Sequence, residues 1–193
     1  MFMARYMTRS MLRFAVGAAA GYVLAVRPWH LRWGADDGEV HGEMAGDDIV
    51  SMPQYQATRA ITVDALPAAV WPWLVQLGGY TEASAEGDAT IEQQGLKVGD
   101  TLHPGDEGAV FIVEQADPPH TLVLVHRGQD AATTCSISLR EVDDARTRMV
   151  FRTRIKAEPG LSGTLFLARV DLADFLTVRR QMLTIKSRAE PAR

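Results

Sequence analysis

Four strand-like runs joined by short turns are the feature that most constrains this sequence. The runs cover residues 109–116, 120–126, 133–141 and 146–155. Connections this short predict that neighbouring strands are antiparallel. A helical stretch follows at residues 161–189, with apolar side chains three or four positions apart: Leu165, Ala168, Leu172, Phe175, Met182 and Ile185. A sheet with one apolar face and a helix with one apolar stripe can bury each other, so we predict an α+β fold in which a curved antiparallel sheet wraps around the C-terminal helix.

Alternation within the strands predicts which side chains face the helix. In residues 146–155 the arginines share one parity, and Met149, Phe151 and other uncharged residues share the opposite one. In the preceding run, residues 133–141, the same alternation predicts that Cys135 and Ile137 face inward. We interpret the arginine row as a solvated face that pairs with neighbouring acids, because arginine is rarely buried and surface ion pairs are common.

The segments before these strands predict the rest of the domain. Residues 57–63 alternate as a strand, and residues 68–77 form a helical stretch that Pro72 is expected to divide into two short helices. A further short strand is expected within residues 96–102. Residues 34–56 are rich in Gly, Asp and Glu, which is typical of a linker or a peripheral loop.

The N-terminal segment is apolar and flanked by basic residues. Residues 14–26 carry no charge, and residues 1–35 contain five arginines and no acid. This segment fits a signal peptide, a short membrane anchor or a helix docked on the domain. We favour an anchor, formed by residues 1–33, that contacts a membrane surface. The arginines on both sides of the segment do not indicate on which side of the membrane the domain lies. A docked helix would instead imply a cytoplasmic protein. The middle of the chain is acidic, which argues against binding to nucleic acid.

The order of these elements and several local sequences resemble the START-like superfamily (SRPBCC), which includes Bet v 1-like proteins and polyketide cyclases. The resemblance lies in residues 57–77 (ATRAITVDALPAAVWPWLVQL), 96–102 (LKVGDTL), 146–151 (RTRMVF) and the last helix. Residues 29–35 (WHLRWGA) and 46–50 (GDDIV) are similar to uncharacterised bacterial members with an apolar N-terminus. The resemblance implies a helix-grip domain over residues 57–190 and a cavity between its sheet and its C-terminal helix.

Sequence motifs for catalysis and metal binding are absent. No nucleophile elbow, P-loop, zinc-protease or dinucleotide motif occurs, and the single cysteine excludes an internal disulfide and a multi-thiolate zinc site. We therefore expect no metal, no cofactor and no catalytic residue, and a Cys135 thiol made inert by burial.

The hypothesis favoured by the sequence is a binding module for a hydrophobic small molecule such as a lipid, an isoprenoid or a polyketide. The alternatives are a cyclase- or dehydratase-like enzyme that uses the same cavity, and an interaction domain with a filled core. The predicted cavity lining is Trp73, Phe111, Val113, Cys135, Ile137, Met149, Phe151, Leu172 and Phe175.

Overall fold

The computed structural model describes residues 16–17, 20–76, 96–102 and 110–191, and these form a six-stranded antiparallel sheet with five helical segments. The strands are β1 (Tyr55–Val63), β2 (Thr101–Leu102), β3 (Phe111–Asp117), β4 (Thr121–Arg127), β5 (Ala131–Asp143) and β6 (Arg146–Ala157). Their order across the sheet is β1-β6-β5-β4-β3-β2. The helical segments are a π-helical turn (Tyr22–Val26), α1 (Arg27–Leu31), α2 (Asp37–His41), α3 (Pro67–Val75) and α4 (Leu161–Ala189).

The predicted fold class is confirmed: the sheet is antiparallel and a long C-terminal helix packs on one face of it. The helical stretch after β1 is also confirmed, but α3 continues through Pro72 and is not divided there. The expected strand within residues 96–102 is limited to Thr101–Leu102. Most of the segment between α3 and that strand lies outside the described residues.

The register places the apolar parity of the strands on the inner face of the sheet, the face that α4 covers. Ile137 lies opposite Phe151 on one neighbouring strand and opposite Leu122 on the other. These side chains pack with Met182 and Ile185 of α4, and all of them are at most 1 % exposed. The alternation of apolar and polar residues along the strands therefore predicted correctly which face of the sheet is the inner one.

Helix α4 carries two apolar stripes, where the sequence analysis expected one. Its inward side chains are Phe175, Val178, Met182 and Ile185, whereas Leu165 and Leu172 are exposed to solvent. At about 100° per residue Leu165 and Ile185 lie about 160° apart around the helix, so a single face cannot hold both. The inward placement of Leu165 and Leu172 was wrong.

Residues 34–56 are not a linker, because they pack against the outer face of the sheet. Asp36 caps α2 and forms a capping box with Glu39. Glu39 pairs with Arg148, and Asp47 pairs with Arg152 and Arg154. The arginine row does pair with acids, as predicted, but it is not a solvated face: Arg152 is 2 % exposed.

A close approach at Gly46 holds this segment against the strands. The residue has a φ of +83°, and a Cβ there would lie 2.5 Å from Cγ1 of Val123. Only glycine adopts this backbone conformation without strain. The glycine content that predicted a loop for residues 34–56 therefore allows the segment to pack closely on the sheet at this position.

The described part of the N-terminal segment docks on α4. The Tyr22 hydroxyl donates to Asp171 (2.6 Å), Arg27 pairs with the same carboxylate, and the Trp29 ring packs against Phe175 at 5.3 Å. None of the helices in the described residues is both long and apolar enough to cross a bilayer. Of the residues predicted as an anchor, 1–15 lie outside the described residues, and residues 22–33 are part of the folded domain.

Candidate functional site

Six of the nine predicted lining residues do share the inner face of the sheet, but most are packed rather than free to contact a ligand. They are Phe111, Val113, Cys135, Ile137, Met149 and Phe151. Val113, Ile137, Met149 and Phe151 belong to the closed core beneath α3 and α4. Each of these four side chains is at most 1% exposed, so solvent does not reach them at the centre of the inner face.

Near the β3 edge of the inner face Phe111 is only half-buried, whereas the half-buried Cys135 lies two strands away on β5, between Leu124 and Thr153. Leu96 and Leu102 are also half-buried and pack on the core, and Leu102 lies directly opposite Phe111. The Phe111 ring lies 5.5 Å from the imidazole of His126, whose Nδ1 is 2.8 Å from the Val110 carbonyl oxygen. The carbonyl can only accept, so Nδ1 is the donor. This group of partly covered apolar side chains is the candidate site.

The other three predicted lining residues lie elsewhere. Trp73, on α3, packs on the core with the Arg188 guanidinium 5.7 Å from its ring centre. Phe175 is buried, but by the N-terminal aromatics Trp29 and Trp33 rather than around a cavity. Leu172 is 46 % exposed, on a solvent-exposed side of α4.

A buried polar network that the sequence analysis missed joins α4 to β1. Arg59 donates to Asp174 Oδ2 at 2.6 Å, to the Tyr55 hydroxyl at 3.1 Å and to the His30 carbonyl oxygen at 3.0 Å. Tyr55 donates to the same Asp174 oxygen at 2.8 Å. The sequence did contain a signal for this network, because Arg59 alternates in phase with the inward-facing Ala57 and Val63 of β1 and is therefore expected to be buried.

The side chains of this network are hydrogen-bonded to one another and join β1 to α4. Burial, and then the charge of Asp174, raise the pKa of the Tyr55 hydroxyl, so it stays protonated at neutral pH. Burial lowers the pKa of His30, which is therefore neutral. Within the described residues no three side chains of His, Cys, Asp or Glu are placed to hold a metal ion.

Cys135 is expected to be unreactive, as the sequence indicated. Burial, and then the negative charge of Asp174, raise the pKa of its thiol to about 12. Because the thiolate is the reactive form, alkylation by iodoacetamide at pH 8 should be at least about a hundredfold slower than for the same chain unfolded in urea. The rate should keep rising with pH beyond pH 9. Equal rates for the folded and the unfolded chain would show that the thiol is neither buried nor shifted.

A cavity lies on the outer face of the sheet, under the segment that follows α2. It is half-open, encloses about 240 Å³ and is lined in part by Glu39, Met44, Ser136 and Arg140. Its Glu39 carboxylate is already held by Arg148 and Arg140. Burial alone would raise the pKa of that carboxyl, but hydrogen bonds from Arg148 and the Asp36 backbone outweigh it, so the pKa lies below its ordinary value. These charged groups pair with one another and thereby hold the segment after α2 against the sheet.

The strand order and the long helix across the inner face are those of the helix-grip fold. The chain has a START-like fold. No protein-family model matches the sequence, and no curated protein matches it. The order of the elements agrees with the fold that the resemblance stated from the residues implied.

Solved structures that are similar to this chain have low sequence identity to it. A conserved protein from Geobacillus kaustophilus is 12% identical, with a TM-score of 0.45 over 70% of this chain and 95% of that one. The Aha1 dimer from Colwellia psychrerythraea is 18% identical, with a TM-score of 0.46 over 71% and 97%. A polyketide cyclase-like protein from Corynebacterium glutamicum is 12% identical, with a TM-score of 0.43 over 68% and 88%.

Proposed function

We propose that this chain binds an apolar small molecule, such as a lipid, an isoprenoid or a polyketide, at the open β3 end of the inner face. The observation that carries the proposal is the half-burial of Phe111, which lies on the inner face of β3 near the edge of the sheet. Sites for small molecules are concave and mostly apolar, with few polar groups. Leu96 and Leu102 extend the same apolar surface.

Binding fits this site better than catalysis does. General acid–base chemistry needs a titratable group within hydrogen-bond reach of the substrate, with a pKa near the working pH. Tyr55 and Asp174 are hydrogen-bonded to each other, and Asp174 also accepts from Arg59. The Cys135 thiol has a pKa of about 12, far above the working pH. We further propose that residues 1–33 contact a membrane, which would place the site close to a source of apolar ligands. Exposed Leu24 and Trp29 support this contact.

Replacing Phe111 by arginine is expected to weaken the binding of an uncharged apolar fluorescent probe such as N-phenyl-1-naphthylamine about tenfold or more, since it places a charge in apolar surroundings. The matched control is Ile112→Arg, because the neighbouring side chain has the opposite parity and is exposed. Fluorescence titration of both variants measures the difference, and the control should change the dissociation constant less than about twofold. Equal effects would exclude the inner face as the site.

Native mass spectrometry of the purified chain should show an apolar molecule that co-purifies and that organic extraction releases. Its mass then identifies the ligand class. If no such molecule is found and the probe also fails to bind, the chain is an interaction domain with a filled core.

A further inference from the structure

A row of exposed leucines runs along one solvent-exposed side of α4. Its members are 37–76% exposed: Leu161, Leu165, Leu172, Leu176 and Leu183. At about 100° per residue they lie within an arc of about 60°, and at 1.5 Å per residue the row is about 33 Å long. We call it the leucine stripe. Single exposed leucines are ordinary on a protein surface, but a continuous row of this length marks an interaction site.

The charges beside the leucine stripe are all of one sign. Arg169 and Arg180 both lie along one border of it, and no ion pair or hydrogen bond of either side chain is found in the described part of the chain. The two acids of α4 point the other way, where Asp171 binds Arg27 and Asp174 binds Arg59. The exposed side of α4 is therefore apolar and positively charged.

The docked N-terminal segment extends this surface. Its contacts with Asp171 and Phe175 place it next to the leucine stripe. Several of its apolar side chains stay exposed there, namely Val23, Leu24, Val26 and Trp29. Tryptophan prefers the boundary between lipid headgroups and acyl chains.

We infer that the leucine stripe, with Arg169 and Arg180, is a docking surface for an anionic lipid bilayer, on which α4 lies parallel to the membrane plane. Leucines on one side and arginines along its border are the pattern of helices that bind in the interface. A second copy of this chain fits the surface less well, because pairing two such faces would oppose arginines with no exposed acid between them. The inference rests on the membrane contact in the proposed function and is independent of the ligand.

The test measures how the full chain partitions onto vesicles of phosphatidylcholine alone and of phosphatidylcholine with phosphatidylglycerol in a three-to-one ratio. The double variant Leu172→Gln, Leu176→Gln should lower the partition coefficient on the mixed vesicles about tenfold. The double variant Arg169→Gln, Arg180→Gln should lower it about twentyfold on the mixed vesicles and leave binding to phosphatidylcholine unchanged. Val142→Gln is the matched control, since Val142 is 52% exposed and lies at the end of β5.

The outcomes separate this inference from the proposed function. If both double variants bind like the unmodified chain, α4 does not touch the membrane, although residues 1–33 still can. If the unmodified chain binds neither kind of vesicle, this surface and the proposed membrane contact both fail, while the probe titration stands unaffected. A dimer in vesicle-free solution that the leucine variant converts to a monomer, seen by light scattering, would overturn the inference in favour of self-association. Circular dichroism checks that each variant is folded, and the arginine pair tests the surface without altering apolar packing.

Discussion

Replacing Arg152 by methionine is expected to lower the free energy of unfolding by about 3–5 kcal/mol, the cost of leaving one partner of a buried ion pair alone. All five N–H groups of this side chain are used. It donates to Asp47 (2.5 Å), to the Thr58 hydroxyl (3.0 Å) and to the carbonyl oxygens of Glu39, Val40 and Gly42. Methionine fills a similar volume and donates to none of them. Urea denaturation followed by circular dichroism measures the loss.

Arg140→Met provides the matched control for Arg152. Arg140 also lies on the outer face and pairs with Glu39, but its side chain is 58% exposed. An exposed pair contributes about 1 kcal/mol at most, so this variant should be nearly as stable as the unmodified chain. Similar losses at the two positions would mean that Arg152 is solvated and that the segment after α2 does not seal the sheet.

This contrast also shows why the sequence mispredicted the outer face. Alternation correctly set the arginines on the side opposite Phe151, but it carries no information on what covers that side. The cover is the segment with Glu39 and Asp47, more than one hundred residues earlier in the chain than Arg152. Its Gly- and Asp-rich composition is that of a loop, and contacts with residues distant in sequence, including these ion pairs, hold it against the sheet.

Elements defined by local signals were predicted well. Helix α4 spans Leu161–Ala189, the range indicated by the apolar spacing between Pro159-Gly160 and Pro191. Strand β6 (Arg146–Ala157) follows a turn at Asp143-Asp144 and extends the predicted run by two residues. Each boundary depends on residues that stop a helix or turn a chain, and those residues act over a few positions.

The candidate site was predictable only in part. Parity placed Phe111 and Cys135 on the inner face, and the structure keeps them there. Whether inward side chains meet or leave space depends on how closely α4 and α3 approach the sheet, which no residue pattern encodes. Periodicity also could not choose between the two stripes of α4, because leucine occupies both sides and Leu172 has an apolar neighbour at every helical spacing.

Replacing Phe175 by alanine is expected to lower the free energy of unfolding by about 3–5 kcal/mol, the usual cost of deleting a buried aromatic side chain. The ring is the meeting point of three elements. Trp29 packs against it edge-on at 5.3 Å, His30 lies at 5.5 Å, and the Arg59 guanidinium stacks over it at 5.5 Å. Chemical denaturation measures the loss, and the adjacent Leu176→Ala, at an exposed position, should change stability by about 0.5 kcal/mol or less.

The Phe175 variant should also release the N-terminal segment, since Trp29 and Trp33 both lose the surface on which they pack. Limited proteolysis is expected to cut the variant within residues 22–33 faster than the unmodified chain, because cleavage follows local opening. The Leu176→Ala variant should be cut at the unmodified rate. A loss of stability below about 1 kcal/mol with unchanged proteolysis would show that this side of α4 is not core. The docking of the N-terminal segment would then depend on its polar contacts, which include the bonds of Asp171 to Tyr22 and Arg27 and the bond from Arg59 to the His30 carbonyl oxygen.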